Sequence, residues 1–149
     1  MIGNMTKLKV VLDTNILVAA SRSRRGASFA VMQHLRQGNF IALASVPLFL
    51  EYESVLKRSE QLAVGSRTPE MVDAFLDALS LRTAPVHLHF LWRPQTRDPA
   101  DEMVLETALN GNADALITFN LNDFVAAKRF KLPVWMPSVL LNHLNLKES

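Results

Sequence analysis

The chain has 149 residues, with 16 lysines and arginines against 14 aspartates and glutamates and no cysteine. We expect one domain over residues 1–149 with a flexible N-terminus at 1–6, because a chain of this length can form a hydrophobic core without disulfide bonds or a structural metal. The missing cysteines exclude a disulfide scaffold, a cysteine-ligated metal centre and a thiol nucleophile. We also expect neither a membrane span nor a secretion signal, which predicts a cytoplasmic protein. The formal net charge of +2 says little about partners.

Short apolar runs alternate with helical patterns along the chain, which is typical of βα units around a parallel sheet. In chain order we predict strand 9–12, helix 15–20, helix 27–36, strand 40–44, helix 46–58, helix 69–81, strand 85–90, helix 98–111, strand 115–117, helix 124–128 and strand 134–136. The segments 61–67 and 93–97 are predicted loops. The pattern predicts a three-layer α/β/α domain with a central, mostly parallel sheet of about five strands.

Polar residues follow two of the predicted strands. Asp13 ends the first strand, and Thr118, Asn120 and Asp123 follow strand 115–117. Because the carboxyl ends of parallel strands meet at one edge of a sheet, we expect these side chains to line a crevice there. A plainer interpretation stays open for each of them, since Asp13 could cap the next helix and Asn122 or Asp123 could cap helix 124–128.

Two aspartates stand at the start of helix 98–111. Asp101 falls near the middle of the apolar arc of this helix, where a charge is costly. One interpretation is a capping arrangement, with Asp98 as N-cap and Asp101 reaching back to backbone N–H groups. The other is a divalent cation near both, because the two carboxylates repel each other unless something positive lies between them.

Helix 46–58 carries two glutamates, Glu51 and Glu53, that flank its apolar arc on opposite sides. Periodicity does not choose between them, and most glutamates on helices are simply solvated. His87 and His89 share one face of strand 85–90, and an exposed face is the preferred interpretation over a zinc site.

The acidic residues belong to different elements but meet around one edge of the predicted sheet. Such a group repels itself unless cations occupy it, and ligation by oxygen alone suits Mg²⁺ or Mn²⁺. Metals in that setting activate water for phosphodiester hydrolysis. The sequence has no glycine-rich nucleotide loop, no serine-hydrolase elbow and no zinc-protease motif, so these classes lose their main support.

Four segments, taken in order and with their spacing, resemble PIN-domain ribonucleases, including the VapC-like toxins of bacterial toxin–antitoxin pairs. The likeness runs from Lys9 to about Leu144. The segments that carry it are Val11-Leu12-Asp13-Thr14-Asn15, Leu50-Glu51-Tyr52 with Val55-Leu56, Arg97-Asp98-Pro99-Ala100-Asp101, and Ala113-Asp114-Ala115-Leu116-Ile117-Thr118.

The resemblance implies an acidic Mg²⁺ or Mn²⁺ pocket and hydrolysis of single-stranded RNA. It favours Glu51 over Glu53 and leaves the number of metals open, because Asn120 stands where many relatives carry a fourth acid, for which Asp123 would substitute. The implied catalytic residues are Asp13, Glu51, Asp101 and Asp123. The implied metal ligands are these four and Asp98. The implied supporting residues are Thr14, Asn15, Thr118 and Asn120.

The resemblance also implies a homodimer that binds a small antitoxin. A dimer face at Phe75, Leu76 and Leu79 is one interpretation of that apolar stretch, and a core position is the other. Arg22, Arg24 and Arg25 are expected either to follow the RNA backbone or to lie in a solvated loop.

Two other functions compete with a nuclease. Asn120 motivates a catalytically silent RNA- or protein-binding module. A haloacid-dehalogenase-like phosphatase, which also begins with an aspartate at the end of its first strand, ranks low. Its chemistry needs a second aspartate where this chain has Asn15.

Overall fold

The computed structural model describes residues 7–90 and 95–148. Its strands are β1 (Lys9–Leu12), β2 (Ile41–Ala44), β3 (Thr83–Pro85), β4 (Ala115–Ile117) and β5 (Val134–Trp135). In this part of the chain they form one parallel sheet in the order β3-β2-β1-β4-β5. β1 therefore lies at the centre, and the chain crosses from one side of it to the other between β3 and β4.

Helices connect the strands and cover the sheet. They are α1 (Thr14–Arg22), α2 (Ala27–Arg36), α3 (Val46–Leu56), α4 (Ser59–Gly65), α5 (Pro69–Leu81), α6 (Pro99–Asn110) and α7 (Pro137–Glu148), with a 3₁₀ helix at Leu121–Phe130. α6 packs against β1, β2 and β4, whereas α2 packs against α1 and α7. The predicted three-layer α/β/α architecture is confirmed.

The core forms around the two central strands because their residues are almost entirely apolar. Val10, Val11 and Leu12 of β1 are buried, as is every residue of β4. Parallel strands between two helical layers read as continuous apolar runs rather than alternating ones, and these strands follow that rule. Leu12 pairs with Ile117 in the register of the two strands, so the residues that follow each strand leave the sheet side by side.

Most predicted elements are confirmed. The bounds of β1, α2, α5 and β4 agree to the residue, and those of α1, β2, α3, α6 and β5 agree within two residues. The predicted loop 61–67 is wrong in its first part, since α4 covers Ser59–Gly65. The predicted helix 124–128 lies inside the longer 3₁₀ helix, whose N-cap is Asn120 without a capping side-chain hydrogen bond.

The prediction of strand 85–90 is wrong, because β3 is Thr83–Pro85 and residues 86–90 have no regular structure. The Asn110 side chain, at the end of α6, holds this segment instead. Its Oδ1 accepts the backbone N–H groups of His89 at 2.9 Å and Phe90 at 3.0 Å. His87 and His89 are exposed, with ring centroids 6.3 Å apart.

Two of the expected segments lie wholly or partly outside the described residues. The flexible N-terminus at 1–6 and the first two residues of loop 93–97 lie outside them. Among the described residues, no helix is both long and apolar enough to cross a membrane. Leu76 and Leu79 are buried in the core, which leaves Phe75 as the half-exposed member of the predicted dimer face.

Candidate active site

The sheet order creates a crevice between the ends of β1 and β4. In open parallel sheets, ligands bind at the carboxyl edge where the strand order reverses, because neighbouring connections leave in opposite directions there. Asp13 follows β1 and Thr118 follows β4 at this point. The backbone N–H of Asp13 continues the ladder by donating to the Ile117 carbonyl at 2.9 Å.

A hydrogen bond between two buried side chains spans this crevice. The Thr118 hydroxyl, which is fully buried, donates to Asp13 Oδ2 at 2.7 Å, and Asp13 itself is 7% exposed. Asp13 occupies the N-cap position of α1, yet its side chain makes no capping hydrogen bond. The helix-cap interpretation of Asp13 thus holds for its position, whereas its carboxylate binds Thr118 at the end of the sheet.

Thr118 also organises two asparagines. Its Oγ1 accepts the backbone N–H of Asn120 at 3.0 Å and faces Asn15 Nδ2 at 3.5 Å. Asn15 Oδ1 is buried and has no hydrogen-bond partner among the described residues. A buried acceptor without a donor costs folding free energy, so this oxygen suggests that a water or a ligand group binds in the crevice.

Burial has the largest effect on the pKa of the Asp13 carboxyl. It raises the pKa of this carboxyl above its ordinary value, while hydrogen bonds from the Thr118 hydroxyl and the Thr14 backbone lower it. The negative charges of Asp123 and Asp98 raise the pKa further. Asp13 thus has two other carboxylates as electrostatic neighbours.

Asp101 is the most perturbed carboxyl of this region. Burial raises its pKa to about 7, with further contributions from the charges of Asp13, Asp98, Asp123 and Glu102. Asp98 is exposed and caps α6, in agreement with the capping interpretation, with Oδ1 accepting the Ala100 N–H at 2.9 Å. The alternative interpretation, in which Asp101 also caps the helix, has no corresponding hydrogen bond among the described residues.

The four aspartates at positions 13, 98, 101 and 123 form what we call the acidic group. Within residues 7–90 and 95–148, no lysine, arginine or histidine forms an ion pair with any of them. In the same residues, no three His, Asp or Glu side chains stand close enough to enclose a metal ion. The group therefore fits a divalent cation by its oxygen chemistry and its unbalanced charge, but without a preformed cage.

The two glutamates of α3 differ in their surroundings. Glu53 Oε2 binds Lys57 Nζ at 2.9 Å, and the same ammonium binds Asp73 of α5 at 2.6 Å. Glu51 is half-buried and is not among the charges that raise the pKa of Asp13 or Asp101. Its helix is tied to the crevice by Tyr52, whose hydroxyl donates to the Leu12 carbonyl at 2.6 Å.

A family model described as a PIN domain matches residues 9–122, about three quarters of the chain. The chain belongs to the PIN domain family. No curated protein matches this PIN domain. Among solved structures it is similar to a chain of FitAB bound to the IR36 DNA fragment, with a TM-score of 0.57 and 16% sequence identity over 86% of this chain and 94% of that chain. At this identity the likeness shows a shared fold alone.

The three clustered arginines of this PIN domain lie away from the acidic group. The rise of an α-helix separates Thr14 from Arg22 by about 12 Å along α1. Arg22 donates to Gln61 Oε1 of α4 at 3.2 and 2.7 Å, whereas Arg24 and Arg25 are exposed in the following loop. An RNA strand would have to extend beyond the crevice to reach them.

Glu102 is a residue of this PIN domain that the sequence patterns missed. It is buried, and its Oε1 accepts the backbone N–H groups of Gln95 at 2.5 Å and Thr96 at 2.6 Å. Its Oε2 has no partner among the described residues. Glu102 thus fixes the loop that leads to Asp98. The one available signal was its place in the first turn of a helix that follows a polar loop.

Proposed function

We propose that this PIN domain is a metal-dependent endoribonuclease that hydrolyses single-stranded RNA. The observation that carries the proposal is the buried Asp13, fixed by Thr118 at the crevice and surrounded by carboxylates with no basic partner in the described residues. An arrangement that costs folding free energy and lies in a crevice is typical of a functional site.

Asp13 and Asp101 are the proposed central ligands of Mg²⁺ or Mn²⁺, with Asp98, Asp123 and Glu51 as outer contributors. When bound, such a cation supplies a water of lowered pKa and neutralises charge on the phosphate. The residues of the chain do the positioning. Thr118 fixes the direction of the Asp13 carboxylate, and Asn15 Oδ1 offers a buried acceptor for a water.

Cleavage of a fluorescent single-stranded RNA, followed with Mg²⁺, with Mn²⁺ and with EDTA, tests the proposal. We expect cleavage only with metal, and a loss of at least a hundredfold for Asp13→Asn, which keeps the shape but removes the charge. The matched control is Asp77→Asn, since Asp77 is exposed on α5 outside the acidic group. Equal cleavage by the Asp13→Asn variant and the parent would overturn the assignment of Asp13.

A second candidate is a catalytically silent PIN module that binds RNA or protein. One observation that favours it is Asn120, which is an amide at a position where the resemblance implies an acid. The other is that the described residues contain no preformed group of three metal ligands. Thermal unfolding with added Mn²⁺ separates the two candidates. A rise in Tm that Asp13→Asn abolishes supports the nuclease, whereas an unchanged Tm supports the silent module.

The proposed biological setting is that of a VapC-like toxin in the cytoplasm, active as a homodimer and inhibited by a cognate antitoxin. This part rests on the resemblance of the sequence motifs. A small open reading frame beside the gene, whose product forms a complex with this chain and stops RNA cleavage, would support it. Sedimentation of the purified chain tests the dimer.

A further inference from the structure

Apolar side chains are exposed directly beside the acidic group. Phe119 follows Thr118 and is 38% exposed, and Leu121 is 43% exposed. Isolated exposed apolar residues are ordinary, but these two flank Asn120 in the connection that leaves β4 at the crevice. Their position next to the proposed chemistry distinguishes them from the other exposed apolar side chains.

These residues line an open cavity of about 580 Å³. Its apolar lining comes from Phe119, Leu121 and Met136, and its polar lining comes from Asn120, Asn122 and Asp123. We call this space the 119–136 cavity. Apolar surface with a few amide groups is the composition of a site that both stacks against a flat ring and bonds its edge.

The backbone on either side of Phe119 is fixed. Thr118 is bound to Asp13 through its side chain, and the Asn120 N–H donates to the same hydroxyl at 3.0 Å. The Phe119 ring therefore stands on a short, anchored stretch of chain, one residue from the group that orients Asp13. Among the described residues it has no aromatic ring partner, and it is 38% exposed where it lines the cavity.

We propose that the 119–136 cavity is a nucleobase subsite, in which Phe119 stacks on an unpaired base next to the scissile phosphate and the amides of Asn120 and Asn122 bond the base edge. The inference rests on the proposed function and deepens it, because it says how the strand is held. A duplex hides its bases, whereas a single strand offers them for stacking on aromatic side chains. The subsite thus selects single strands.

The amides also fit this occupant. A carboxamide offers a donor and an acceptor together, which matches the paired donors and acceptors on the edge of a base. Asp123, the outer metal contributor at the same cavity, would repel any phosphate that no bound cation neutralises. The lining therefore favours the base or ribose of a nucleotide over its phosphate.

Binding of two strands of equal length, measured by fluorescence anisotropy with Ca²⁺ in place of Mg²⁺, tests the subsite. One strand is a mixed-sequence single-stranded RNA, and the other is a base-free ribose–phosphate chain. We expect the parent to prefer the RNA. Phe119→Ala should weaken RNA binding roughly ten- to hundredfold while leaving the base-free strand unaffected, and Phe119→Tyr, which keeps the ring, should bind like the parent.

The control is Phe90→Ala. It removes a phenylalanine that is 65% exposed and held at the far end of α6 by Asn110, so it should leave RNA binding unchanged. Circular dichroism verifies that each variant is folded. If Phe119→Ala does not fold, Phe119→Tyr still tests the role of the ring.

The outcomes separate the subsite from the nuclease. If the parent cleaves RNA but Phe119→Ala binds both strands as the parent does, the subsite is wrong and the nuclease stands. If Phe119→Ala instead loses binding of a protein inhibitor with RNA binding intact, the cavity is a protein contact and the subsite is again wrong. If the parent prefers neither strand and cleaves no RNA, both proposals fail.

Discussion

At the scale of single residues, one hydroxyl decides the geometry of the crevice. Thr118 donates to Asp13 and accepts from the backbone of Asn120, so it joins the first strand of the chain to the connection after the fourth. Serine would offer the same hydroxyl, but threonine also suits a β-strand end, where its branched Cβ is favourable. The residue thus serves both the fold and the site.

Asp101 makes stability depend on pH. Its pKa is about 7 in the folded chain against an ordinary value of 3.8, so its charged form disfavours folding. The metal-free protein should therefore lose stability as the pH rises through this range, and Asp101→Asn should remove that part of the loss. Urea unfolding in EDTA at a pH of about 5 and of about 8 measures it.

The expected sign is specific. At about pH 8 the Asp101→Asn variant should need more urea than the parent, and at about pH 5 the difference should shrink. Asp77→Asn, which removes an exposed carboxylate of α5, is the control. A variant that is less stable than the parent at the higher pH would contradict the assignment of Asp101 to a repulsive group.

At the scale of elements, close packing fixes the end of α6. A Cβ added at Gly111 would meet Val86 Cγ2 at 2.9 Å, Leu43 Cδ1 at 3.0 Å and the Thr107 carbonyl at 3.0 Å. Since φ at this glycine is −90°, the constraint is space and not backbone strain. The helix can approach β2 and the segment after β3 only because this position has no side chain.

Gly111→Ala should therefore destabilise the protein by about 1–3 kcal/mol through overpacking. Gly26→Ser is the control, because a Cβ there meets nothing within 4 Å and serine is a favoured residue at this N-cap position. Urea unfolding of the two variants and the parent compares them. An unchanged midpoint for Gly111→Ala would mean that the neighbouring side chains move aside without cost.

Local patterns predicted the central elements well because tertiary structure agrees with them there. β1 and β4 are continuous apolar runs, and the start and end of α6 carry residues that favour those positions. The predictions fail where the structure of a segment depends on residues that are distant in the sequence. The segment 86–90 alternates like a strand, but the Asn110 side chain binds the backbone groups of His89 and Phe90, and no local pattern shows these bonds.

The sequence pointed to the aspartates at the crevice, but it did not show the contacts between them and their neighbours. Strand ends and helix starts pointed to Asp13, Asp98, Asp101 and Thr118. The bond between Asp13 and Thr118 depends on strand order, which periodicity does not give, and the burial of Glu102 depends on a loop that folds back onto it. Helix periodicity treats Glu102 as an ordinary solvated glutamate.

At the scale of the whole molecule, charge is distributed unevenly although the formal net charge is +2. The acidic group lies at the carboxyl edge of the sheet, whereas Arg24 and Arg25 are exposed beyond the far end of α1. An RNA strand that reaches both regions would bring its scissile phosphate to the acids and a distant part of its backbone to the arginines.

Replacing Arg24 and Arg25 by glutamine should therefore weaken RNA binding and flatten its salt dependence, by about 0.7 in the slope of log K against log salt for each phosphate that is no longer neutralised. Titrations at several salt concentrations measure the slope. The control is the double variant Arg36→Gln with Arg82→Gln, which removes the same charge from a groove between α2 and α5. Equal slopes for the two double variants would assign Arg24 and Arg25 to a solvated loop.

The pairing of β1 with β4 also determines when the bond between Asp13 and Thr118 can form. Asp13 and Thr118 are 105 positions apart in the chain, so their bond is a contact between residues distant in sequence, and loop closure must precede it. Synthesis completes the first three strands before the fourth exists. An unfinished chain therefore carries Asp13 without the hydroxyl of Thr118 that orients its carboxylate. The bond between the two side chains forms only when β4 pairs with β1.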